Sequence, residues 1–101
     1  MPIADGPFDA NDPYNRLADD LRKQVAEIAS KAVRTKDYKS LSPTSQVECL
    51  MAGLTVGLIG VCFAHIENAG RDTMMDLIAE YLPQAREQAE GIFEDAARQH
   101  S

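Results

Sequence analysis

A chain of 101 residues, 45% hydrophobic and 26% charged, has the composition of one folded domain rather than a disordered segment. Sixteen Asp and Glu against ten Lys and Arg leave a net charge of -6, the wrong sign for a phosphate backbone or an anionic bilayer surface. No nucleic-acid or membrane partner is expected on this ground.

Residues 1–11, with Pro2, Gly6 and Pro7, read as an irregular arm ahead of a single helical domain over 12–101. Ile3 and Phe8 are placed to pin that arm to the body. The opening MPIADGPFDAND has three Asp and no Lys or Arg, unlike the basic start of a secretory signal, so a cytoplasmic location is expected.

Asn11 or Asp12 can cap a helix with Pro13 in its first turn, where the missing N–H costs nothing. Tyr14, Leu17, Leu21, Val25, Ile28 and Ala32 then recur at helical spacing, which predicts a helix over 13–36. Thr35 to Leu41 is polar and interrupts the pattern. Ser42-Pro43 signals a second start, with the S-x-x-E box of Ser45 and Glu48 as an alternative. This second helix is expected to run to about Asn68, where Ala69-Gly70 offers a left-handed stop.

Asp72 or Thr73 should cap a third helix, with Asp76 near the positive end of its dipole. Met74, Ile78, Tyr81, Ala85, Ala89, Ile92 and Ala96 keep one helical register through Pro83. One helix kinked at Pro83 is therefore expected, with a break at Leu82 as the alternative. No stretch alternates with period two. The fold class is all-α, as an antiparallel three-helix bundle with its most apolar helix in the middle. In that up-down-up order the first and third helices run parallel. Lys31, Arg34 and Lys36 at the end of one should then lie beside Glu87, Glu90, Glu94 and Asp95 at the end of the other.

The middle helix carries the most information. CLMAGLTVGLIGVCFA, residues 49–64, is sixteen residues without a charge, bounded by Glu48 on one side and by His65 and Glu67 on the other. A membrane span needs about 20 apolar residues, and no cluster of Lys or Arg abuts this run, so a buried soluble helix is expected. Gly53, Gly57, Gly60 and Ala64 fall on one narrow strip, opposite Met51, Thr55, Leu58, Cys62 and Ile66. Each glycine inside a helix costs about 0.5–1 kcal/mol relative to Ala, which a close backbone approach would offset. Either another helix of the same chain packs there or a second copy does. The second is expected, as a two-fold homodimer, because two other helices cannot cover a helix that is apolar all round.

Cys49 and Cys62, thirteen residues apart on a helix, are about 20 Å apart along the axis, too far for a bridge. His65 has only Cys62 at ligand spacing, so neither a metal site nor any cofactor is expected. His65 as a phosphoacceptor in a signalling bundle is the enzyme-like alternative. The ladders Asp72, Asp76, Glu80 and Glu87, Glu90, Glu94 would suit a basic protein partner, although such ladders are more often solvated faces. No nucleophile-base pair can be assembled, since the other histidine, His100, lies at the chain end. The reading is a non-enzymatic interaction or regulatory protein that self-associates through its central helix.

Overall fold

A computed structural model describes residues 9–99, and among these every regular element is helical. The elements are α1 (Pro13–Ala32), α2 (Lys36–Lys39), α3 (Pro43–Ala64), a 3-10 turn (Asn68–Gly70) and α4 (Arg71–Gln99). Ile3, Phe8 and His100 lie outside the described residues. The described residues divide into two compact units, and the division falls within α3, between Leu58 and Ile59.

In the first unit α1 starts where its cap signal stands. The Asp12 carboxylate accepts from the Tyr14 N–H, and Pro13 occupies the first turn. Asp12 also accepts from the Asn15 amide at 2.8 Å. The helix ends at Ala32, four residues before the expected boundary, and Thr35 is the reason. Its hydroxyl donates to the Ala32 carbonyl at 2.8 Å, satisfying an acceptor left at the helix end. The same oxygen accepts from the Tyr38 N–H and so caps the one-turn helix α2. A fourth helix therefore stands where only an interruption was expected. α2 is tied to α3 by the Gln46 side-chain amide, which donates to the Tyr38 carbonyl at 3.2 Å.

α3 begins at Pro43, with the Ser42 hydroxyl accepting from the Ser45 N–H. Ser42-Pro43 is the working start, and Ser45 lies inside the helix.

In the second unit α3 stops at Ala64, earlier than Asn68. The expected left-handed stop is absent, since no glycine in the described residues has positive φ. The chain tightens instead: the His65 and Ile66 N–H groups donate to the carbonyls of Cys62 and Phe63, three residues back. The 3-10 turn then runs directly into α4, which begins at Arg71, so Asp72 and Thr73 lie inside its first turn rather than at a capping position. The Arg71 guanidinium lies 5.1 Å from the centre of the Phe63 ring, a cation–π contact that braces this corner. α4 continues from Arg71 to Gln99 with Pro83 inside it, so the break at Leu82 does not occur. Proline has no N–H to give the Ala79 carbonyl, and the unbroken apolar register on both sides carries the helix through.

No described residue of any element is buried within the chain. Leu50, Ile59, Cys62 and Phe63 on α3 and Met74, Leu77, Ile78 and Tyr81 on α4 are half-buried, while the large apolar side chains of α1 are exposed.

Candidate interaction surface

Gly53, Gly57, Gly60 and Ala64 all stand on one helix, α3. A Cβ built at Gly53, Gly57 or Gly60 would meet no atom within 4 Å outside the helix's own backbone. The flanks are equally open: Val47 is 66% exposed, Val56 70% and Val61 64%. Among the described residues α3 is the one helix long and apolar enough, by length and composition, to cross a membrane. Its 22 residues include no basic residue and one acidic residue, Glu48. Two features thus coincide on α3, a helix apolar around its circumference and a face from which side chains have been removed.

His65 sits just past the end of α3, exposed, with ring Nδ1 2.9 Å from the Val61 carbonyl oxygen. A carbonyl only accepts, so Nδ1 is the donor in this contact. The contact satisfies one of the carbonyls that the helix end leaves without a partner. His65 acts here as a C-terminal cap of α3.

Cys49 is exposed and Cys62 half-buried, and both are free thiols. Among the described residues no three His, Cys, Asp or Glu side chains come together to hold a metal ion. The acidic positions of α4 are partly engaged. Glu90 accepts from the Arg86 guanidinium at 2.7 Å, and Asp95 pairs with Arg98. Glu87 and Glu94 make no ion pair among the described residues. On α1, Asp19 accepts from Arg22 at 2.8 Å and pairs with Lys23 at 3.0 Å. These contacts, the Arg22 hydrogen bond first, hold its carboxyl below the ordinary value of 3.8.

One cluster was only half legible. Lys31 in the last turn of α1 is followed by Arg34 and by Lys36 and Lys39 on α2. The Arg34 Nε donates to the Ser30 carbonyl at 3.0 Å, and none of the four pairs with a carboxylate among the described residues. The spacing of Lys31, Arg34 and Lys36 was the available signal. Lys36 and Lys39 stand on the separate helical turn that the Thr35 cap opens.

Compared with models of protein families, with curated proteins and with solved structures, the chain has no significant match.

Proposed function

We propose that this chain is a non-enzymatic interaction or regulatory subunit working as a water-soluble, cytoplasmic homo-oligomer, in its simplest form a two-fold dimer. The joining surface is the Gly53, Gly57, Gly60 and Ala64 strip. The observation that carries this reading is that α3 has no buried residue while three glycines on one face stand beside open space. A second copy meeting the strip brings the two backbones close, and apolar burial there contributes about 25 cal/mol per Å². That gain offsets the glycine penalty inside the helix. Within each protomer the proposed arrangement is an antiparallel three-helix bundle with α3 in the middle.

A bilayer is the rival cover for α3. Its uncharged run of residues 49–64 spans about 24 Å at 1.5 Å per residue, short of the roughly 30 Å hydrocarbon core.

The test is sedimentation velocity of the full chain at tens of micromolar, wild type beside Gly57→Leu, with a flotation arm on neutral phosphatidylcholine vesicles. A wild-type oligomer that Gly57→Leu reduces to monomer, with no flotation of either, supports the reading. A monodisperse wild-type monomer that stays in solution overturns it. Flotation of the wild type with the vesicles hands α3 to the bilayer.

A further inference from the structure

α4 runs unbroken from Arg71 to Gln99 with Pro83 inside it. A proline within a helix has no N–H for the carbonyl four residues back, here that of Ala79, and its ring pushes against that carbonyl. The helix is thereby opened on the face of the proline and curved toward the opposite face. The pattern of exposure has the same direction. Pro83, Arg86 and Glu87 on the proline face are exposed, while Ile78, Tyr81 and Ala85 on the other face are half-buried. A curved helix turns its convex side to solvent.

Two residues of the inner face are joined across the proline. Tyr81 and Gln88 stand two residues before and five after it, about 160° and 140° around the axis from Pro83. They are only about 20° from one another, but about 10.5 Å apart along the axis. Their side chains close that distance: the Tyr81 hydroxyl donates to the Gln88 side-chain carbonyl at 3.0 Å. The ion pairs of Arg86 with Glu90 and of Asp95 with Arg98 lie wholly beyond Pro83, so neither crosses the joint.

We propose that Pro83 is a hinge in α4 and that the Tyr81–Gln88 hydrogen bond is its latch. With the bond made, residues 71–82 and 84–99 hold one fixed bend. With the bond released, the joint flexes, because the Ala79 carbonyl has no backbone donor to tie it down. The bond lies at the surface, where water competes for both groups, so the latch is easily opened. A partner that offers Tyr81 or Gln88 another hydrogen bond would release it. The part that moves carries Ile92 and Phe93, 40 and 77% exposed, and the hinge sets the angle at which they are presented. This device lies within α4 and does not depend on what covers α3.

The experiment follows amide hydrogen exchange in the full chain by NMR, at Gln84, Ala85 and Arg86, whose helical bonds reach back past Pro83. Tyr81→Phe removes the hydroxyl and keeps the ring, and Gln88→Met removes the acceptor and keeps the length. Each should quicken exchange at these amides about threefold, within the worth of one surface hydrogen bond. The same changes made on a Pro83→Ala background should leave the rates unchanged, because the restored bond to the Ala79 carbonyl holds the joint without the latch. Wild-type exchange in both variants overturns the latch. Equal acceleration with and without the proline overturns the hinge, since the bond is then an ordinary brace on a straight helix. Helical content by circular dichroism controls for misfolding, and should Tyr81→Phe lose helix, Gln88→Met decides by the same criteria.

Discussion

α1 and α3 are of nearly equal length, 20 and 22 residues, yet they are written by different rules. α1 carries its instructions on itself. Asp12 and Pro13 start it, Thr35 stops it, Asp19 ties its flank to Arg22 and Lys23, and a single apolar stripe says which side faces inward. α3 has a start at Ser42-Pro43 and then almost nothing directional. Its large side chains point all ways, and the one asymmetry is the strip where side chains are missing. An amphipathic helix announces a face to be buried. A helix that is apolar all round announces only that something must surround it, and the identity of that something is not encoded in its own periodicity.

This contrast can be broken most forcefully by placing the same charge on each helix. Leu54→Asp puts a carboxylate on the flank of the α3 strip, where association would bury it without a partner. Removing such a group from water costs several kcal/mol, so self-association should weaken at least a hundredfold by sedimentation equilibrium. Ala26→Asp, off the apolar stripe of α1 and exposed, should stay within about 0.5 kcal/mol of wild type in thermal unfolding. Equal effects at the two sites would show that α3 is no more covered in solution than α1.

A smaller test asks whether α1 depends on its own end signals. Asp12→Ala removes the acceptor for the Tyr14 N–H and for the Asn15 amide, and should cost about 1 kcal/mol. The expected sign is loss of stability in denaturant unfolding with little change in the oligomer. A matching loss of association would mean that the start of α1 belongs to the interface.

How much could be read beforehand follows the same division. The existence and period of α1, α3 and α4, and the passage of α4 through Pro83, are properties of long periodic stretches and were legible. What was not legible turns on single hydrogen bonds. Thr35 can close one helix and open the next because one hydroxyl both donates and accepts, and nothing in a polar interruption distinguishes that from a loop. Ala69-Gly70 has the composition of a left-handed stop, yet the helix had already ended in two tightened hydrogen bonds from His65 and Ile66. For the surface, the Gly53 to Ala64 strip was visible by arithmetic. That Lys36 and Lys39 stand on a helical turn of their own was not visible, because α2 depends on the Thr35 cap.

Gly57→Ala sharpens the comparison by its sign. In an isolated helix the change should stabilise by about 0.5–1 kcal/mol, since the added methyl meets nothing in the chain. Across a close backbone contact the same methyl must push the partner away. We expect higher helical stability at dilutions where the chain is monomeric, together with weaker association at higher concentration. Gains in both would mean that the strip is not a contact.

The smallest effect concerns Asp19, the clearest electrostatic feature of α1. The Arg22 hydrogen bond and then the Lys23 contact favour its charged form, so its carboxyl titrates below the ordinary 3.8 in the folded chain. A depressed carboxylate stabilises the fold wherever the pH is above the unfolded value, and that contribution disappears as the pH falls through the lower folded value. The loss is thus confined to strongly acidic solution and leaves neutral pH untouched. Because both partners are solvent-exposed, added salt should shrink it further. The measurement is a carbon-detected titration of the Asp19 carboxyl in the full chain. Its midpoint should lie below 3.8, and Arg22→Ala should move it back further than Lys23→Ala, in the order of the contacts. A wild-type midpoint at the ordinary value would mean that the ion pairs of α1 are not held in solution, and its self-sufficiency would then rest on its caps and stripe alone.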